Sequence, residues 1–278
     1  MFKKAGYLVL ICFMLVSLSG CYSPNDIKYK LGFFNKDFQS IREGKIKKVI
    51  IQNTRDSGFS FEITDQNTIS ELYDILSTSR KVTKKTSLKP DYIFQFVKNA
   101  KEVSTYEYVA GIGNPMTGNL FDGNKIYYVS TRLDSDLLSD FWDLDSPKNF
   151  DEVYYNSILT AVNYYAKKGI GKKKMGIDIF DDTDSLKYML SVNIDQFEKK
   201  LKNLYGDKIQ LIKDSDDKKN YNIIVNVQTA GYKSDVYKSA ISITDTTDNT
   251  ESDYHIYNKY SDDKWNIQIY KNNKPSDF

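Results

Sequence analysis

The alternation of apolar and polar residues predicts a β-hairpin early in the chain. Phe59, Phe61 and Ile63 alternate with polar residues, which places one face of a strand inward and the other in water. A second strand-like run extends from Ile46 to Thr54, and the turn-forming stretch from Arg55 to Gly58 joins the two runs. A hairpin is therefore the simplest interpretation.

Helical spacing follows the hairpin. Thr68 to Glu71 has the S/T-x-x-E form of a capping box. The apolar residues that follow repeat every three or four positions and predict a helix from about Gln66 to Ser79, with an inner face formed by Ile69, Leu72, Tyr73 and Leu76.

Three more strands and a second helix complete the first predicted domain, residues 46–145. The strands are expected at residues 90–97, 102–111 and 125–130. The helix is expected to end near Leu144, because its apolar residues recur at helical spacing at Leu133, Leu137, Phe141 and Trp142. This order predicts an α+β domain with helices on one face of an antiparallel sheet.

A long helix opens the second predicted domain, residues 149–278. Pro147 interrupts the preceding helix, Asn149 to Glu152 has the form of an N-x-x-E cap, and Gly169 follows the last turn. The inner face of this helix is formed by Tyr154, Ile158, Ala161, Val162 and Tyr165.

The rest of the second domain is expected to be one more helix and a run of strands. A basic connector after Gly169 leads to a short strand at residues 177–180 and to a helix at residues 194–205, and five strand-like runs follow. In topology alone, helices followed by antiparallel strands resemble the cystatin-like or NTF2-like arrangement. That resemblance implies a curved sheet on a long helix and selects no function.

The N-terminal residues have the pattern of a targeting signal. Lys3 and Lys4 precede an apolar run from Leu8 to Leu18, and Leu18-Ser19-Gly20-Cys21 closes it. This resembles the signal peptide and lipobox of lipoprotein precursors of Gram-positive bacteria. The resemblance implies removal of residues 1–20 and attachment of a diacylglyceryl group, with acyl chains such as palmitate, to Cys21. A permanent transmembrane helix needs about 20 apolar residues, more than this run offers.

The same resemblance implies a location. The mature chain is expected at the extracytoplasmic face of the cell membrane, held by the lipid on Cys21, with residues 21–45 as the lipidated cysteine and tether. Near the end of the tether, apolar residues at helical spacing predict a turn or two of helix that leans on the first domain, namely Phe33, Phe34, Phe38 and Ile41.

Residues 46–130 resemble the YhfM-like domain of uncharacterised lipoproteins of Gram-positive bacteria. The likeness rests on the hairpin, the helix after it, and Pro90-Asp91-Tyr92 at the start of the next strand. It implies a fold and a membrane address, and it carries no catalytic residues.

Cysteine and histidine counts restrict the chemistry. Cys12 lies in the discarded apolar run and Cys21 is the lipidation site, so the mature chain has no thiol for a disulfide, a redox motif or a thiolate metal site. His255 is the single histidine, and it lies in a strand-like run. It leaves one weak route to a Ser-His-Asp site, and we expect no cofactor.

Charge gives no general reason to bind nucleic acid. The chain has 39 basic and 37 acidic residues, and loss of Lys3 and Lys4 leaves 37 of each. The neutral sum argues against nucleic acid as a partner and against local patches.

A glycine-rich loop and two acid clusters suggest ligand sites, but neither matches the pattern of a known nucleotide-binding or calcium-binding motif. The loop from Gly111 to Gly118 lies between strands, where a dinucleotide fingerprint would need a strand-to-helix turn, and Gly118 to Gly123 lacks the Lys-Ser/Thr end of a P-loop. Two acid clusters also lack the EF-hand pattern, and turns or caps explain them as well as calcium does: Asp178, Asp181, Asp182 and Asp184, and Asp214, Asp216 and Asp217.

The sequence thus predicts a two-domain α+β lipoprotein that acts without catalysis, by binding or by supporting an envelope assembly. Its partners would be the membrane, through Cys21, and an envelope protein. One alternative is a carboxylate-dependent hydrolase of cell-wall or surface glycans, with its acids in a cleft of the second domain. The other is a solute-binding lipoprotein, which the modest length and missing βα alternation disfavour.

Overall fold

Two β-sheets, each packed against helices, form the described part of the chain. The structure is a computed structural model that describes residues 34–139, 146–276 and 278. Each sheet lies in its own half of the chain and contributes to its own apolar core. The α+β class with two units is therefore confirmed.

The first sheet has seven strands, all antiparallel, in the order β2-β1-β4-β5-β6-β7-β3. The predicted hairpin is present, with Val49 opposite Ile63. The strands are β1 (Lys48–Asn53), β2 (Ser60–Ile63), β3 (Arg80–Lys81), β4 (Tyr92–Asn99), β5 (Glu102–Tyr108), β6 (Leu120–Phe121) and β7 (Ile126–Tyr128).

Helices cover one face of the first sheet. They are α1 (Gln39–Arg42), which continues the 3-10 turn Lys36–Phe38, then α2 (Gln66–Ser77) and a π-helical segment, Leu133–Leu138. Phe38 and Ile41 are buried in the first core, so the predicted helical turn after the tether is present and packs on this domain. Phe33, Phe141, Trp142 and Leu144 lie outside the described residues.

The cap of α2 differs from the prediction. Asp65 precedes the helix, and its carboxylate accepts hydrogen bonds from the backbone N–H and the hydroxyl of Thr68. Thr68 is therefore the third residue of the helix rather than its cap. Asp65 is the better cap because it satisfies an N–H group that has no partner within the helix.

The second sheet has six strands in the order β13-β12-β11-β10-β8-β9 and is mixed. β8 runs parallel to both β9 and β10, whereas the prediction was purely antiparallel. The β8–β9 pair is parallel because α4 carries the chain from the end of β8 back to the start of β9. The strands are β8 (Met175–Asp178), β9 (Ile209–Leu211), β10 (Ile223–Lys233), β11 (Val236–Asp245), β12 (Thr250–Ser261) and β13 (Lys264–Lys271).

Two long helices pack on the second sheet. α3 (Phe150–Ala166) lies against β11, β12 and β13, and α4 (Ser191–Tyr205) lies against β9. Asn149 precedes α3 as predicted, but its φ is 46° and its side chain makes no cap hydrogen bond, so the expected N-x-x-E cap does not form. Among the described residues, no helix combines the length and apolar character that a membrane span requires.

Candidate binding cleft between the two sheets

The carboxylate of Asp91 joins the two halves of the chain. Asp91 is completely buried at the start of β4. Its Oδ1 accepts hydrogen bonds from the Arg55 guanidinium (2.7 Å) and the Ser191 N–H (2.8 Å), and its Oδ2 accepts one from the Ala110 N–H (2.9 Å). Because Ser191 is the first residue of α4, a first-domain carboxylate satisfies an N-terminal N–H of a second-domain helix, where the helix dipole favours negative charge.

The turn between β1 and β2 holds Arg55 in place. The Asn53 side-chain oxygen accepts hydrogen bonds from the N–H groups of Arg55 (2.8 Å) and Asp56 (2.9 Å). The Asn53 side-chain N–H donates across the seam to the carbonyl of Lys187 (3.1 Å). Arg55 also donates to the Ser191 hydroxyl, which in turn donates to a first-domain carbonyl. The seam is therefore a connected polar network rather than a single ion pair.

Two further contacts reinforce the seam. The Lys187 ammonium lies 5.5 Å from the ring centre of Phe59 in the first domain and 5.0 Å from that of Tyr188 in the second. Gly111 packs so closely on Val192 that an added Cβ would lie 2.8 Å from a Val192 methyl group. This close approach, together with a φ of 75°, explains glycine at position 111.

A cleft of about 560 Å³ lies over the network. Both domains line it, and its apolar lining includes Phe180, which is 37% exposed. The first domain contributes Thr54, Arg55, Ser87, Leu88, Lys89 and Pro90, and the second contributes Phe180, Ser191, Ile194, Asp195, Glu198 and Lys213.

The acids at the rim of the cleft are paired. Asp195 lies 2.5 Å from the Lys199 ammonium, and Glu198 lies 3.2 Å from that of Lys213. Lys89 is exposed at the same rim and forms no ion pair within the part of the chain that the structure describes. The cleft thus offers an apolar surface bordered by charges of both signs.

Two carboxyl groups near the seam have shifted pKa values. Burial raises the pKa of Asp134 to about 6, although hydrogen bonds from the Gly111 N–H and the Tyr108 hydroxyl oppose the shift. Burial also raises the pKa of Asp91 against the opposing effect of Arg55. Both carboxyl groups accept hydrogen bonds from other groups of the folded chain, so each has a structural role.

The glycine-rich loop is held by packing. A Cβ added at Gly118 would lie 2.1 Å from a methyl group of Ile126, so no side chain fits there. The loop lies between β5 and β6. Close packing accounts for this glycine without a bound nucleotide.

The first acid cluster divides between surface and core. Asp178 and Asp181 share the Lys218 ammonium at 2.7 and 2.9 Å, Asp182 is buried, and Asp184 is exposed. In the second cluster, Asp214 accepts a hydrogen bond from the Asp216 N–H and caps a 3-10 turn, of which Asp217 is also part. No group of three or more potential metal ligands occurs among residues 34–139, 146–276 and 278.

His255 lies in β12 between Ala240 and Tyr270 on the neighbouring strands. The Phe278 ring packs edge-on against the imidazole at 5.0 Å between ring centres. Its Nδ1 has no hydrogen-bond partner within the described chain. The structure therefore does not bring His255 together with a serine and an aspartate.

Comparison with known families gives one result. Residues 42–147 match the family model described as YhfM protein. This supports the YhfM-like domain in the first half of the chain. Searches of the curated proteins and of the solved structures gave no match. The cystatin-like or NTF2-like resemblance of the second half is not confirmed.

The matched range contains one wall of the cleft. Arg55 and Asp91 lie inside it, whereas Ser191 and the rest of the second wall lie outside. The hairpin turn and the Pro90-Asp91-Tyr92 motif, which carry part of the sequence resemblance, are therefore among the parts of the first domain that contact the second.

Proposed function

We propose that this protein is a lipoprotein held by Cys21 at the extracytoplasmic face of the membrane, and that it binds a partner in the cleft between its sheets. The cleft itself carries this proposal. It is built from both domains, its lining includes apolar side chains, and the network around Asp91 fixes its two walls relative to each other. Preformed apolar clefts with a few polar groups are the usual sites of ligand binding.

The lining suits a short extended segment of an envelope protein. Leu88, Phe180 and Ile194 offer an apolar surface for one buried side chain, which is how most binding hot spots are anchored. The charged groups at the rim would contact polar flanks of the same segment. The acids at the rim are both ion-paired with lysines, which supports binding over carboxylate-dependent hydrolysis.

Site-specific photo-crosslinking in intact membranes tests the cleft. A benzophenone amino acid at position 180 is expected to give a discrete adduct. The same amino acid at Val103, an exposed apolar residue on β5 outside the cleft, is expected to give none. Filling the cleft with Ile194→Trp should abolish the adduct from position 180.

Two results would contradict the binding site. Equal adducts from positions 180 and 103 would indicate unspecific contact, and an adduct unaffected by Ile194→Trp would place the partner elsewhere. Loss of a glycan-degrading activity in Asp195→Asn or Glu198→Gln, with the adduct unchanged, would favour the hydrolase.

The anchor predicts a separate result. Cys21→Ala is expected to abolish metabolic labelling with a fatty acid and to leave an unlipidated precursor or a released protein, because no acyl acceptor remains. Cys12→Ala is the matched control and should stay labelled, since this cysteine lies in the discarded segment. Persistent label on the Cys21→Ala chain would rule out the anchor.

A further inference from the structure

Exposed lysines gather at the end of the second domain that lies away from the seam. We call this set the lysine pole; its members lie after α3, in the connector to β8 and in the turn after α4, and they are Lys167, Lys168, Lys172, Lys174 and Lys208.

Backbone and side-chain contacts bring these segments together. The Tyr205 hydroxyl at the end of α4 donates to the Asn163 side chain on α3. The Lys208 ammonium donates to the carbonyl of Gly171 in the connector (3.3 Å). Met175 and Ile209, the first residues of β8 and β9, are paired in register. The five lysines therefore share one end of the domain.

No member of the pole forms an ion pair with any residue in the described ranges. Two of the acids nearby are already engaged, because Lys173 in the same connector contacts both Asp245 and Asp248 at 2.6 Å. Asp207 is the acid in the turn after α4. The pole thus has an excess of positive charge, which the balanced sum over the whole sequence had argued against.

The pole is separate from the cleft. α4 begins at Ser191, next to Asp91, and runs for 15 residues toward the pole. At 1.5 Å per residue, its far end lies about 22 Å from the seam. Phe34, where the described chain begins, borders a pocket together with residues of α1 and α2 of the first domain.

We propose that the lysine pole binds an extended anionic polymer whose charges are carried on regularly spaced phosphate groups. Residues 146–278 contain no arginine, so the pole lacks the planar fork that binds two oxygens of one carboxylate or phosphate group at once. Lysine binds phosphate as a point charge, and five such charges spread over one end of the domain fit a polymer rather than a compact ligand. The proposed extracytoplasmic location would give the pole access to envelope polymers.

Binding of the full chain, in a neutral detergent, to immobilised long-chain inorganic polyphosphate tests the pole. The triple variant Lys167→Gln, Lys168→Gln, Lys172→Gln should bind at least about tenfold more weakly, with a salt slope reduced by about two to three. The matched control Lys47→Gln, Lys84→Gln, Lys101→Gln removes the same charge from exposed first-domain lysines. It should stay within about twofold of wild type. Replacing the three pole lysines by arginine should preserve binding.

Three results would overturn the proposal. Equal weakening by both triple variants would show that binding depends only on the net charge of the chain. Unchanged binding by the pole variant would show that this surface does not bind the polymer. Pole-dependent binding to phosphatidylglycerol vesicles without binding to polyphosphate would assign the pole to a lipid surface. Each result leaves the crosslinking test of the cleft unaffected, so the two proposals fail separately.

Discussion

Asp91→Ala is expected to lower the free energy of unfolding by about 3 to 5 kcal/mol, the range for removing one partner of a buried ion pair. The change leaves the Arg55 guanidinium, which is 12% exposed, without its carboxylate. It also leaves two buried N–H groups, on Ala110 and Ser191, without an acceptor. Urea unfolding followed by circular dichroism measures the loss.

Asp136→Ala provides the matched control. It removes the exposed pair between Arg132 and Asp136, also an aspartate–arginine contact at 2.7 Å. Exposed pairs of this kind contribute about 0.3 to 0.5 kcal/mol. A loss in Asp91→Ala no larger than in the control would show that the seam does not hold the domains together.

The same substitution should loosen the second domain although it lies in the first. Ser191 is the first residue of α4, so hydrogen exchange should accelerate in the first turn of α4. The double variant Arg55→Met, Asp91→Leu should recover part of the lost stability, because buried ion pairs are often replaceable by apolar residues. Unchanged exchange in α4 would limit the effect of Asp91 to its own domain.

Most helices and strands could be predicted from the sequence because their burial follows a simple period. α2 begins at the expected residue, and β10 to β13 follow the predicted strand-like runs. The two-residue strands β3 and β6 were missed, since two residues show no alternation. Parallel pairing of β8 was also missed, because periodicity identifies a strand but does not indicate the direction of its neighbour.

The seam could not be predicted, because its residues are far apart in sequence. Asp91 lies 36 positions from Arg55 and 100 from Ser191. The sequence did single out Pro90-Asp91-Tyr92, but only as the start of a strand. An aspartate in a turn-like position ordinarily serves that turn. Only the packing of the two domains turns this carboxylate toward a helix in the other half.

The charged surface at the end of the second domain could not be predicted from the sequence either. The nearly equal totals, 39 basic and 37 acidic residues, correctly describe the whole chain, yet they conceal the uncompensated end formed by Lys167, Lys168 and their neighbours. A total charge does not show where on the surface the individual charges lie. Three separated segments reach one pole only because α3, α4 and β8 end or begin there.

Asp182→Ala is expected to cost about 2 to 4 kcal/mol, because it removes the acceptor from several buried donors. Asp182 is 3% exposed and accepts hydrogen bonds from the N–H and the hydroxyl of Thr229, both at 2.9 Å. The hydroxyl groups of Ser185 and Tyr237 contact the same Thr229 hydroxyl, so the network loses the carboxylate that it is built around. Urea midpoints of the variant and wild type give the difference.

Asp184→Ala, two positions away in the same acid cluster, is the control. Asp184 is exposed, and its loss should change stability by no more than about 0.5 kcal/mol. If the cluster instead held calcium, the two variants would lower calcium-dependent stabilisation together. A calcium-induced rise in the wild-type midpoint that both variants abolish would therefore contradict the structural role of Asp182.

The pH dependence of stability distinguishes the effect of the charge of Asp182 from the effect of its side-chain shape. Burial raises the pKa of Asp182, so the native state holds this proton more tightly than the unfolded state does. The resulting stabilisation is complete below the unfolded pKa near 4 and is lost as the pH rises through the folded pKa. Asp182→Asn mimics the protonated acid, so its free energy of unfolding should rise relative to that of wild type as the pH rises from about 4 to 7. A constant difference across that range would show that the pKa of Asp182 is the same in the folded and unfolded states, and would exclude the raised pKa.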